Sequence, residues 1–308
     1  MNLTVKIENL TKSFGDVIAI DHLSLTIHQG EMFGIVGPDG AGKTTTFRML
    51  TGILPPSSGS AEILGYDLVK DAKKIKRMIG YLSQRFSLYG DLSIDENIEF
   101  FAEINEVYDY RKRREELLEF TRLTPFRKRL AEQLSGGMKQ KLALACTLIH
   151  RPHILFLDEP TTGVDPVSRR DFWKILSSLL ESGITIVMST PYLDEAERCT
   201  RVALMNEGKL MVVDTPQNVK RLLRGEVIEI ICDPIRSAVI VLRSSPHVRD
   251  VQAFGDRLNV IVDESKRDVP LIERVLREAG IEISEWRVIH ASLENVFISL
   301  MAKETVPS

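Results

Sequence analysis

The chain has 308 residues, 44% of them hydrophobic, and a formal net charge of -3. That length suits one large domain plus a smaller one, and the mild acidity gives no reason to expect a nucleic-acid partner. The longest uncharged apolar runs, such as 154–157 and 184–188, are far shorter than a bilayer span, and residues 1–6 hold no apolar signal core. The expectation is a cytosolic protein held at a membrane only by a partner. Cys146, Cys199 and Cys232 are odd in number and scattered, so they read as reduced core thiols.

Residues 3–8 and 17–27 alternate apolar and polar positions, as half-buried strands do. A short apolar strand, 31–36, runs into a glycine-rich loop, and 44–50 reads as the helix after it. A Pro/Ser/Gly loop over 55–60 precedes another strand, 61–64. Strand signals then vanish over about 85–150, where charged helical segments such as 94–104 and 111–120 take over. The basic run Arg111–Arg114 is followed by Glu115 and Glu116, which suits a solvated helix face. Strands return at 154–157, 184–188 and 202–206 with helices between them, the pattern of a parallel sheet. Near Gly225 the pattern restarts, with strands at 227–232, 248–254, 258–262 and 283–288 and a helix at 269–279. The expected division is therefore 1–224, with a helical insertion at about 85–150, and 225–308, a small α+β domain.

Three motifs carry chemistry. Gly37-Pro38-Asp39-Gly40-Ala41-Gly42-Lys43-Thr44 fits the G-x-x-x-x-G-K-[ST] phosphate loop. Its glycines let backbone N–H groups converge on phosphates at a helix N-terminus. Lys43 would reach the β- and γ-phosphates, and the Thr44 hydroxyl would ligate Mg2+. Asp158 ends the apolar strand 154–158, where it would hold the same ion directly or through water, and Glu159 follows it. Between these two motifs stands Leu134-Ser135-Gly136-Gly137, the start of a helix expected to run through Leu148. Such an N-terminus offers free N–H groups to an anion.

In this order the three motifs resemble an ABC ATPase, the engine subunit of an ABC transporter. The resemblance implies an α/β P-loop NTPase fold with a helical subdomain and an antiparallel β subdomain. It implies that ATP is bound by Phe14, by residues Gly37 through Thr45 (Gly37, Pro38, Asp39, Gly40, Ala41, Gly42, Lys43, Thr44, Thr45), and by Ser135, Gly136 and Gly137 acting across a dimer. Phe14 matches the aromatic that stacks on adenine, and Glu159 the general base. Gln84 matches the glutamine that senses Mg2+ and the γ-phosphate, so the implied metal set is Thr44, Gln84 and Asp158. Asp165 matches the loop that communicates between two sites. The implied partners are membrane permease subunits and a second ATPase subunit, identical or not. Residues 190–197 and Ala291-Ser292-Leu293-Glu294-Asn295-Val296-Phe297 are similar to the multidrug-efflux and polysaccharide-export branch, which carries a C-terminal accessory domain.

Two residues depart from the family pattern. Asp39 stands where the family usually has Asn, adding a negative charge near a polyanion. Pro191 stands where the family has its switch His, and proline offers neither a side-chain donor nor a backbone N–H. The expectation is an exporter ATPase whose own site is slow or degenerate. The open alternatives are a regulatory ATP-binding subunit with little turnover, and an ABC protein acting on ribosomes or DNA.

Overall fold

The computed structural model describes residues 3–85 and 88–304. Met1, Asn2, Phe86, Ser87 and 305–308, which fall within the N-terminal, helical-insertion and C-terminal readings, lie outside the described residues. The chain forms two compact units, Met1–Val213 and Asp214–Ser308.

The first unit is built on a six-stranded sheet in the order Lys209–Asp214, Arg201–Asn206, Met32–Val36, Thr185–Thr190, Ile154–Asp158, Ile79–Leu82. The four inner pairings, from Arg201–Asn206 across to Ile79–Leu82, are parallel. Met32–Val36, Ile154–Asp158 and Thr185–Thr190 are buried along their whole length, which is why they read as continuous apolar runs. A second, antiparallel sheet orders Val17–His28, Leu3–Phe14, Ser58–Ile63 and Tyr66–Asp67. Its inward residues Val5, Ile7, Leu23 and Ile27 share one core cluster with Phe33 and Phe156 of the parallel sheet and Phe47 of the helix Lys43–Leu50.

The helical insertion contains Ile94–Ile104, Tyr110–Phe120 and Gly136–Leu148. A capping box starts the first of these: Glu96 N donates to Ser93 Oγ at 3.3 Å while Ser93 N donates to Glu96 Oε2 at 2.8 Å. In the basic run, Arg113 pairs with Glu116 at 3.1 Å, an i,i+3 contact on a helix surface.

The second unit holds a four-stranded antiparallel sheet ordered Asp250–Phe254, Arg257–Val262, Glu226–Asp233, Glu282–Ile289. Helices Ile235–Arg243 and Ser265–Glu278 supply Ala238, Leu242, Val269, Ile272 and Leu276 to its core. With its β-α-β-β-α-β chain order, this is a ferredoxin-like arrangement. The unit begins at Asp214, ahead of the sequence restart near Gly225. The short helix Pro216–Lys220, capped by Thr215, packs against the C-terminal helix Leu293–Glu304. The helix Ile235–Arg243 was absent from the sequence reading.

Candidate nucleotide-binding and catalytic site

The phosphate loop joins the central strand Met32–Val36 to the helix Lys43–Leu50, whose N-cap is Gly42 at φ +96. Only glycine takes that conformation without strain. A Cβ on Gly42 would also press on Ala19 O at 2.8 Å, so the loop is held against the antiparallel sheet by close backbone approach.

Lys43 is buried, at 4% exposure, and its ammonium has three near neighbours. Nζ donates to Gly37 O at 2.8 Å and Pro38 O at 3.0 Å, and lies 3.2 Å from Glu159 Oε1. The Thr44 hydroxyl donates to Asp158 Oδ1 at 3.2 Å. Asp158 also accepts from Ser189 Oγ at 2.6 Å and from Tyr81 OH at 3.4 Å. Burial, reinforced by the Asp158 charge, raises the Tyr81 phenol well above its ordinary pKa, so it remains a donor.

Glu159 sits in the left-handed region at φ +49, a conformation that persists only when its surroundings over-determine it. Here they do. Its N–H donates to Ser189 Oγ at 2.9 Å and to Ser189 O at 3.2 Å. Its carboxylate accepts from Gln84 Nε2 at 2.9 Å and Thr162 Oγ1 at 3.4 Å. Ser189 thus orients the Asp158 carboxylate and fixes the Glu159 backbone. The sequence reading had no role for it, although a hydroxyl ending an apolar strand, in register opposite Asp158, was the available signal.

Lys43, Thr44, Thr45, Gln84 and Glu159 line one cavity of about 320 Å³ with Ala19, Asp39, Gly40 and Gly42. Gly37, Pro38 and Ala41 complete the loop behind it, and Asp158 meets it through Thr44. Asp39 is exposed and has no hydrogen-bond or ion-pair partner among the described residues. Phe14 stands apart from that lining. It lies at a hairpin end, 51% exposed beside Val17 and Ile18, with Lys12 Nζ 5.2 Å above its ring. Ser135, Gly136 and Gly137 also lie outside the lining. Ser135 caps the helix Gly136–Leu148 by accepting from Met138 N at 3.3 Å. Gly137 packs so tightly on Ser168 that a Cβ would collide with it. Asp165 caps the helix Pro166–Glu181 through Val167 N and Ser168 N, so the signature and the Asp165 loop touch within one chain.

Beyond Ser189 the strand ends at Thr190 and turns at Pro191. The buried Glu195 governs this turn: its carboxylate accepts from Thr161 Oγ1 at 2.6 Å and Thr190 Oγ1 at 2.9 Å, with Arg169 Nε 3.5 Å away. Burial, helped by the Glu195 charge, pushes the Cys199 thiol up to about 12.

Oxygen donors from Thr44 and Asp158 converge as a hard cation requires, and an ion that keeps waters and phosphate ligands needs few protein groups. No cluster of three or more His, Cys, Asp or Glu suited to a metal occurs among the described residues. No helix among them is long and apolar enough to cross a membrane.

Residues 20–162 match the ABC transporter family. The chain is 44% identical over 221 residues to a probable multidrug ABC transporter ATP-binding protein of Escherichia coli K12, covering 70% of this chain but only 38% of that protein. It is 32% identical to a linearmycin resistance ATP-binding protein of Bacillus subtilis 168, over 96% of this chain and 97% of that one. Among solved structures, the ATP-binding cassette MJ0796, dimeric and bound to ADP and Pi, superimposes with a TM-score of 0.61 at 28% identity, over 68% of this chain and 98% of that cassette. With the phosphate loop, the acid pair and end-to-end likeness to a resistance ATP-binding protein in hand, the chain belongs to the ABC transporter ATP-binding family.

Proposed function

We propose that this chain is the ATP-hydrolysing subunit of an ABC exporter, working beneath membrane permease subunits on the inner face of the cell membrane. The observation that carries the reading is the placement of Glu159. Its carboxylate is bonded to Gln84 and Lys43 at the mouth of the phosphate loop, one residue beyond the buried Asp158. The names of the relatives, multidrug and linearmycin resistance, support efflux as the transport direction.

In this reading Lys43 leaves Glu159 to meet the β- and γ-phosphates, while loop N–H groups hold the remaining oxygens. Thr44, Asp158 and Gln84 hold Mg2+, which supplies charge neutralisation on the phosphates. Freed from Lys43, Glu159 accepts a proton from the attacking water, and Gln84 keeps its carboxylate aligned. Phe14 stacks on the adenine. Ser135, Gly136 and Gly137 cap the γ-phosphate held by a second ATPase subunit, identical or not.

A second reading is a subunit that binds ATP and turns it over little, favoured by Pro191 at the switch position. Steady-state turnover and nucleotide titration decide between them. Lys43→Ala abolishes most ATP binding; Glu159→Gln retains binding and loses turnover. Unchanged affinity in Lys43→Ala refutes the phosphate-loop assignment. A wild type that binds ATP but hydrolyses none selects the second reading.

A further inference from the structure

The strand Glu282–Ile289 is the last in its sheet, bonded to Glu226–Asp233 on one side and to no strand on the other among the described residues. Soluble proteins blunt such edges with short strands, bulges or charge, because a row of unpaired N–H and C=O groups invites another strand. This edge carries Glu285, Arg287 and a register shift, yet it also exposes large apolar groups: Trp286 is 42% and Val288 50% accessible. Register explains why. Trp286 lies opposite Ile230 and Val288 opposite Ile228, two residues of the unit's core, so both side chains are on the core side of the sheet but overhang its rim. Alongside runs an open groove of about 510 Å³ between the strand and the helix residues Glu273 and Arg277.

We propose that the second unit pairs with a second copy of itself through this edge, as two antiparallel strands about a two-fold axis at Trp286. Charge selects both the occupant and the register. An antiparallel two-fold centred on Trp286 sets each Glu285 opposite the other copy's Arg287, so the interface contains two opposite-charge pairs and a Trp–Trp pair. Cross-strand pairs of these kinds are stabilising, and like charges directly opposite are not. Both charged residues are available. Glu285 has no ion-pair partner among the described residues, and Arg287 spends two of its nitrogens on a single oxygen of Glu229, leaving its remaining N–H groups to an incoming carboxylate. Ser284 then faces Val288, and the regular pairing stops there, because the register shift between Ile231 and Cys232 breaks the strand's alternation beyond Ser284. A C2 contact of this kind uses the same patch on both copies and closes on itself.

The test uses the full chain without nucleotide, so that association of the ATP-binding units is not scored. Sedimentation should show a dimer for the wild type, with a Kd raised at least about tenfold in E285R and in R287E separately. Mixing E285R with R287E should restore the wild-type Kd. In the mixed dimer the two introduced charges, opposite in sign, face each other, and the native Glu285–Arg287 pair is kept on the other side of the axis. A folding defect in either variant would not be repaired by mixing. A short bis-maleimide should link W286C to itself. It should not link E282C to itself, since in this register the two positions lie roughly 25 Å apart along the strands. The native cysteines are all buried and stay silent. A monomeric wild type, a mixture no tighter than its components, or W286C that fails to link each overturns the proposal.

Discussion

Replacing Glu195 should unlatch the loop after Glu159. The residue is 1% exposed and holds two threonine hydroxyls, Thr161 at 2.6 Å and Thr190 at 2.9 Å, beside the Arg169 guanidinium. Each hydrogen bond to a buried charge contributes about 1.5–3 kcal/mol. Glu195→Ala removes both and leaves Arg169 without its carboxylate, so the loss is about 3–5 kcal/mol, the range for breaking a buried charge interaction by removing one partner. Glu195→Gln keeps the shape. One threonine still donates to the amide oxygen and the other must turn and accept, so the loss falls to about 1–2 kcal/mol. With a urea m-value of about 3 kcal/mol/M for a unit of this size, the midpoint moves down by about 1–1.7 M in the alanine variant and by about 0.5 M in the glutamine variant. Urea unfolding followed by Trp173 fluorescence in the same unit reads both. A midpoint shift under about 0.2 M in Glu195→Ala would show that the threonine hydroxyls are as well served by water, and the latch would be refuted.

Pro191→His should raise steady-state ATP turnover of the isolated chain by at least about tenfold, a conservative floor beside the roughly 100- to 1,000-fold that one donor to a developing charge supplies. Brisk wild-type turnover, unmoved by the substitution, would show that another group has the switch role. His150 carries a pH prediction: burial lowers its imidazole pKa below the ordinary 6.5, against the opposing hydrogen bond between Nε2 and Ile79 O at 2.9 Å. Folded, it stays neutral where the unfolded chain takes a proton, so stability is full above about pH 6.5 and falls as pH drops from there to the folded pKa. Urea midpoints from pH 7.5 to 5 should show that slope in the wild type and a shallower one in His150→Gln. Equal slopes would dismiss His150 as a contributor.

The phosphate loop and the acid pair were legible because their geometry is local. Glycine spacing dictates a loop at a helix N-terminus, and two carboxylates ending an apolar strand dictate a polar strand tip. What escaped was carried by register. Ser189 gains its role from lying opposite Asp158 across a parallel pair more than thirty residues distant in the chain, and Glu195 from reaching back to Thr161. Neither is visible as a spacing. The helix Ile235–Arg243 escaped for another reason. Its Val239-Ile240-Val241 run is β-branched and favours a strand by propensity, yet Ala238 and Leu242, four apart on one face, pack into the core of the second unit. The unit's start at Asp214 likewise depends on the packing of Pro216–Lys220 against the C-terminal helix, a contact between the two ends of that unit.

The local bonding around Pro191 bears on what the missing imidazole leaves behind. A switch side chain has two tasks, sensing the γ-phosphate and holding the catalytic carboxylate. In this chain the second is already discharged by protein groups: Ser189 fixes the Glu159 backbone, and Gln84 and Thr162 hold its carboxylate when Lys43 turns to the phosphates. Thr190, just before Pro191, is tied through Glu195 to Thr161, two residues after Glu159. Tyr192 N donates to Thr190 Oγ1 at 3.0 Å, so the turn containing Pro191 is closed by its neighbours and not by any bond of its own. On the proposed reading, the Glu159 base is preorganised while Pro191 offers the phosphate no side-chain donor. That combination predicts a site that still binds and aligns its reactants but gains less charge stabilisation in the transition state. Its signature is a low kcat at nearly unchanged KM, which is the loss expected of an interaction made only in the transition state.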